Sequence, residues 1–270
     1  VSTEGQAVEA ETAAPVEPPE LRRATFADFP AMHRLESAYL KNIFSPDDRR
    51  ALFEDNPLWP RLSGHWPVGW VLEDADGTIV GAVTNVPSSY LFRGEEKICG
   101  NGLAWAVTAE HRGYAALLMD EYFSQEEADL VVSSNVGEGA TPIWQAYGTP
   151  VPLGDWSRAA YMVTNRRSFA REVLGMKGLP MAGALSAPVG AALAVKERLT
   201  SRPLPPTPDG VEIVESRGFD ESFDVFWEEL RAQHHDTLLA VRDRATLAWH
   251  YRLPLRGGRL WVYTARRDGR

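Results

Sequence analysis

The 270 residues are 44% hydrophobic and 24% charged, enough for packed cores in one large domain or two modest ones. Much of the formal net charge of -9 sits at the start: residues 1–20 hold five glutamates and no Lys or Arg, which leaves -4 for the rest. No basic stripe stands out in the first half, so nucleic acid is not an expected partner. The single cysteine, Cys99, excludes an intramolecular disulfide and a clustered zinc site, so a reducing, cytoplasmic setting without metal is expected.

The opening VSTEGQAVEAETAAPVEPPE has no apolar run and reads as a disordered acidic tail over 1–20. From Leu21 a short strand leads into a helix on which Phe29, Met32, Leu35, Glu36 and Tyr39 share one face, with Asp28 ahead of Pro30 as its cap. In the following NPLWPRLSGHWPVG, Trp59 and Trp66 could floor a sugar or peptide pocket but read first as packing. GWVLEDADGTIVGAVTNV is the clearest hairpin, two alternating apolar runs joined around DADG. KICGNGLAWAVTA is the next strand, and a helix from Tyr114 to about Ala128 follows. DLVVSSN is another strand, GATPIWQAYG a short helix ending at Gly148, and AAYMV a last strand. MAGALSAPVGAALAV (Met181 to Val195) is the most apolar stretch. It is shorter than the ~20 residues a spanning helix needs and interrupted by Pro188. It reads as a helix packed on the domain, and the cations around it across 177–202 would also suit peripheral contact with an anionic membrane.

This order of elements resembles the GCN5-related N-acetyltransferase (GNAT) superfamily over residues 21–165. VTAEHRG (Val107 to Gly113) stands where the family has a Val-x-Pro-Glu-Tyr-Arg-Gly-like run. NVGEGATPIWQAYG supplies Asn135, Ala140, Trp144 and Gly148 where the family has Asn or Ser, then Ala, then an aromatic-Glu-Lys-Leu-Gly segment. The fold implied is α/β, a mixed, largely antiparallel central sheet flanked by helices. The ligand implied is acetyl-CoA or another acyl-CoA, with its pantetheine arm along Trp105, Ala106 and Val107, and Asn135 bonded to it. Its diphosphate would lie at the turn of Arg112, Gly113, Tyr114, Ala115 and Ala116. Physics supports that turn: a helix start presents unpaired N–H groups and the positive end of the helix dipole, and Arg112 adds charge. The family's turn runs Arg/Gln-x-x-Gly-x-Gly/Ala, whereas Ala115 and Leu117 hold the last two places here, which leaves fewer amides to wrap a phosphate.

Catalysis in the family uses a base to deprotonate an amine and an acid to protonate the leaving thiolate. The usual acid position is Trp144, which cannot serve, so Tyr147 is the substitute, and Glu110 is the carboxylate nearest the turn. His111 reads as an exposed turn residue. The implied reaction is direct attack of an acceptor amine on the thioester, with strand amides around Trp105–Val107 polarising its carbonyl. The acceptor would be a small-molecule amine or a sugar or peptide, and self-association stays open.

The linker TSRPLPPTPDG closes a helical, Pro-rich segment over 166–209. After it, VEIVESRGFDESFDVFWEEL echoes the strand-then-helix start at Leu21. LAWHYRLPLRGGRLWVYTARRDGR echoes PLWPRLSGHWPVGWVLEDADG, Trp261 falling opposite Trp70 and Gly269 opposite Gly77 at offsets of 191 and 192. A tandem duplication is expected, with 210–270 a partial second module, and chance similarity is the competing explanation. The alternatives to an N-acyltransferase are a non-catalytic GNAT-like interaction module and a Fem-like aminoacyl transferase; the latter would need a basic groove or coiled-coil arm for tRNA, and neither is visible.

Overall fold

A computed structural model describes residues 17–40, 44–133, 140–149, 165–200 and 208–267. Most of the acidic tail, Asn135 and the expected strand AAYMV lie outside the described residues. Compact packing divides the chain into one unit of 1–149 with 214–264 and another of 150–213 with 265–270.

Strand β1 (Glu20–Arg23) leads into helix α1 (Phe29–Tyr39). Asp28 does not cap α1 as the sequence predicts: its carboxylate turns back to accept the Thr25 N–H at 2.8 Å and two bonds from Arg22, completing a capping box one turn earlier. The Arg22 guanidinium holds the Asp28 carboxyl down at about 2. Phe29, Met32, Leu35 and Glu36 are buried along one face of α1, whereas Tyr39, expected there, is exposed.

Helix α2 (Pro46–Glu54) has no counterpart in the sequence reading. Its start is nonetheless conventional: the Ser45 hydroxyl accepts the Asp48 N–H at 3.1 Å, Pro46 opens the helix, and Asp47 and Asp48 sit in its first turn. The single turn α3 (Trp59–Leu62) follows. Trp59 packs against Phe26 and Phe53, and Trp66 is buried with Nε1 donating to the Asn85 carbonyl at 2.9 Å, so both tryptophans pack the core.

The predicted hairpin is present as β2 (Gly69–Glu73) and β3 (Ile79–Phe92), turning through Gly77 at φ 83°. A second hairpin, missed in the sequence, joins β3 to β4 (Glu95–Val107) through Arg93 and Gly94, both at positive φ. Pro87 argues against a strand there, yet it lies mid-strand opposite Gly100. Helix α4 (Ala115–Ser124) ends before the expected Ala128, β5 (Leu130–Val132) follows, and α5 (Thr141–Ala146) stops short of Gly148 at φ 70°.

The sheet runs β1-β2-β3-β4-β5, antiparallel except for the parallel β4–β5 pair. It is the mixed, largely antiparallel sheet flanked by helices that was expected. Because neighbouring strand residues face opposite sides, two cores form. Phe29, Met32, Phe53, Val71 and Ala106 belong to the one under α1 and α2, and Trp70, Leu72, Leu118, Met119 and Tyr122 to the one under α4.

Helices α6 (Arg166–Met176) and α7 (Ala182–Thr200) pack together. Pro188 does not interrupt α7 as predicted; the helix runs through it. Small residues allow the close packing: Ala170, Ser186 and Gly190 are buried, and a Cβ on Gly190 would come within 3.1 Å of the Arg167 backbone. Among the described residues no helix is long and apolar enough to cross a membrane.

The remaining elements are β6 (Val211–Ser216), α8 (Ser222–Gln233), β7 (Leu239–Ala240), α9 (Arg244–His250), α10 (Arg252–Arg256) and β8 (Val262–Arg267). β6 pairs with β8 in a separate two-stranded sheet, while β7 joins the main sheet beside β3 through Tyr90↔Ala240 and Leu91↔Leu239.

Candidate functional site

The site is built where β4 leaves its parallel partner. β4 pairs with β5 only over Cys99–Asn101, opposite Leu130–Val132, and then continues from Gly102 to Val107 with no further β5 partner among the described residues. Residues Ala82 and Thr84 of β3 lie opposite Ala106 and Leu103, so β4 carries one extra residue, a bulge centred on Ala104 at φ 56°. A non-glycine residue in that region is uncommon, and nothing in the local sequence marks it.

Tyr122 of α4 reaches the point of divergence. Its ring is fully buried, and its hydroxyl accepts the Gly102 N–H at 2.8 Å while its single proton faces the carbonyls of Gly100 at 2.8 Å and Val132 at 2.9 Å. One phenol therefore ties β4 to β5 where their pairing ends. Burial pushes the phenol well above the ordinary tyrosine range, against the bonds with the Gly102 and Val132 backbone, which pull it down. The glycines of CGNG make this contact: a Cβ at Gly102 would sit 3.2 Å from the phenol ring and oxygen, and one at Gly100 would strike the Asn85 side chain. Sequence reading passed over Tyr122 and both glycines. The available signal was two glycines two apart in a strand, both presented to one face.

The thiol of Cys99, in the paired part of β4, is fully buried, and burial pushes its pKa up to about 11. Thiolate is the reactive form, so its modification by a disulfide reagent at pH 8 should be slowed by about a hundredfold or more relative to the denatured chain. Equal rates with and without denaturant would contradict this burial.

Beyond β4 the chain enters the turn at His111. His111 is buried, not exposed as predicted, because its Nδ1 bonds the Thr108 hydroxyl at 2.9 Å and its N–H returns to the Thr108 carbonyl. Tyr114 and Ala115 direct their amides to the carbonyls of His111 and Arg112. Among the described residues the amides of Arg112 and Gly113 make no hydrogen bond. Both residues are exposed, and nothing lies within 4 Å of where a Gly113 Cβ would be. Two free amides, one exposed guanidinium and the start of α4 suit an anion such as a diphosphate.

The other predicted residues fall as follows. The Thr108 N–H bonds the Val80 carbonyl, so strand alternation turns the Val107 amide to the outer edge of β4. Ala106 pairs with Ala82 and is buried in the α1–α2 core. Trp105 packs in the α4 core with its Nε1 buried and without a partner among the described residues. Ala115 is half-buried and Ala116 exposed at the first turn of α4. Glu110 is exposed in the turn, and Asn135 lies outside the described residues. Tyr147 stacks on Phe123 at 4.4 Å and gives its hydroxyl proton to Asp120 Oδ1 at 2.5 Å; partial burial, with Asp120 beside it, pushes the phenol up to about 12. Trp144 packs edge-on against Tyr122 and Phe123.

On the α1–α2 side, a cavity of about 560 Å³ opens against Asn101, Gly102 and Leu103, the β4 residues at the divergence. The cavity is walled by β3 at Val86 and Ser88 and by residues of α9.

No protein-family model and no curated protein sequence matches the chain. Solved structures similar to it include an acetyltransferase from Trypanosoma brucei, at 18% identity and TM-score 0.38, covering 53% of this chain and 98% of that one. Ard1 from Thermoplasma volcanium is similar at 19% identity and TM-score 0.38, covering 50% of this chain and 85% of its own. A GNAT family N-acetyltransferase from Escherichia coli, solved in complex with CoA, is similar at 23% identity and TM-score 0.35, covering 50% and 71%.

Proposed function

We propose that the chain is a GNAT-like, coenzyme A-dependent N-acyltransferase that passes an acyl group to the amine of a small-molecule, sugar or peptide acceptor. One observation carries the reading: β4 parts from β5 after Asn101 and runs into a turn whose Arg112 and Gly113 amides are free at the start of α4. In this reading Arg112, Gly113 and the first turn of α4, with Tyr114, Ala115 and Ala116, hold the diphosphate. The outer edge of β4 over Trp105–Val107 receives the pantetheine arm, and the Val107 amide is a donor on that edge. When bound, an acyl-CoA supplies the activated thioester carbonyl. In this reading residues 21–165 are the acyltransferase domain, 166–209 the linker and 210–270 a second module, of which 214–264 packs in one unit with 1–149. Apart from β7, which has no counterpart in the first segment, the order of strand, helix, short helices and strand recurs and supports this duplication, as does the pairing of its first and last strands, β6 with β8 as β1 with β2.

A second reading, a non-catalytic module that keeps the fold, is favoured by the engagement of Tyr147 with Asp120 and by Trp144 at the usual acid position. Calorimetric titration with acetyl-CoA, backed by a thermal shift, separates the two. Saturable binding is expected, and Arg112→Glu should weaken it about ten- to a hundredfold, the worth of one charge-assisted contact. No binding by wild type at millimolar acetyl-CoA would leave the non-catalytic module standing. Unchanged affinity in the variant would move the diphosphate site elsewhere.

A further inference from the structure

The cavity beside Asn101–Leu103 has a floor from the main sheet and a wall from much later in the chain. That wall is anchored at several points. The Val241 N–H bonds the Ser89 carbonyl at 3.0 Å, Trp249 Nε1 donates to the Leu52 carbonyl at 3.0 Å, and just beyond the wall Arg256 pairs with Asp55 at 2.6 Å. Residues 239–251 are therefore a fixed part of the cavity rather than a loose flap over it.

The lining is chemically one-sided. Phe44, Leu52, Val86, Leu103, Leu247 and Trp249 make it largely apolar, and among the described residues no Asp or Glu lines it. The charged residue there is Arg242, exposed and without an ion-pair partner among the described residues. His250, also on the wall, is kept toward the neutral form by burial and by Arg252. A polycationic acceptor such as an aminoglycoside or polyamine would find no counter-charge, whereas an apolar body with one anionic group would find both of its partners. The volume of about 560 Å³ lies in the ordinary range for small-molecule sites.

We infer that this cavity binds a small molecule with an aromatic or branched apolar body and a carboxylate, the carboxylate meeting Arg242 and the body lying between Leu103 and Trp249. Its role as the acceptor pocket, taking an amino acid or a similar amine, rests on the transferase reading; the binding itself does not. Calorimetry without coenzyme, using L-tryptophan and tryptamine as probes that differ by the carboxylate, tests it. Wild type should bind L-tryptophan at least tenfold more tightly than tryptamine. Arg242→Gln should remove that preference, and Leu247→Trp, which fills the cavity, should stop both. Equal or tighter binding of tryptamine, a preference that survives Arg242→Gln, or no binding of either probe at millimolar concentration overturns the proposal. Binding of L-tryptophan by a chain that does not bind acetyl-CoA would keep the pocket and dismiss the transferase; the reverse pattern would do the opposite.

Discussion

Replacing Arg49 by leucine should cost about 3–5 kcal/mol of folding stability, and replacing both Arg49 and Glu36 by apolar residues should cost far less. The two side chains are fully buried between α1, α2 and β3. Arg49 forms a two-pronged bond with Glu36, donates to the Thr84 hydroxyl at 3.0 Å, and lies over the Phe29 ring at 5.5 Å. Its Nε is buried without a partner, so even the intact pair is incompletely satisfied. Burial pushes the Glu36 carboxyl up and the Arg49 bonds pull it down, with burial the larger. Without Arg49 the carboxyl is a lone buried charge and takes up a proton more readily. Its folded pKa then lies further above the unfolded value near 4.3, so the variant loses stability as pH rises from that value through the folded one. Urea unfolding of Arg49→Leu should show a smaller deficit at pH 5 than at pH 8, and Glu36→Met/Arg49→Leu should recover most of the loss at both. A double variant as unstable as the single one would mean that the pair contributes net stability that apolar packing cannot replace.

That pair also shows where sequence reading stopped. Glu36 was legible as a member of the inward face of α1, but its partner lies on α2, whose pattern of one Pro and five charges in nine residues carries little apolar periodicity. The β2–β3 hairpin was legible because DADG sits between alternating runs. The β3–β4 hairpin was not, because its turn places an arginine at positive φ and its strand contains a proline. Arg112 and Gly113 could be picked out because strand-to-helix turns follow local rules. The burial of His111 rests on Thr108 three residues before it, a short-range contact that was overlooked, whereas the bulge at Ala104 arises from the register of β4 against β3, which no local rule specifies. The cavity wall was out of reach for the same reason: Val241 and Trp249 meet Ser89 and Leu52 across more than a hundred residues of sequence.

Tyr122→Ala should destabilise the protein by about 3–5 kcal/mol, the loss of a fully buried aromatic ring, and Tyr122→Phe by about 1–3 kcal/mol for the hydroxyl alone. The second substitution is the more informative one. It keeps the ring against Trp70 and Trp144 but withdraws the acceptor of the Gly102 N–H and the donor facing Gly100 and Val132. These groups lie at the junction of β4 and β5, so the loss should be local before it is global. Amide exchange at Gly102 and Val132 should accelerate well beyond the change at Val71 in β2. Acetyl-CoA affinity, in the transferase reading, should fall because the edge of β4 is no longer fixed at its point of departure from β5. A Tyr122→Phe variant with wild-type stability and unchanged exchange at Gly102 would show that the phenol merely fills space, and that the backbone alone holds the strands apart.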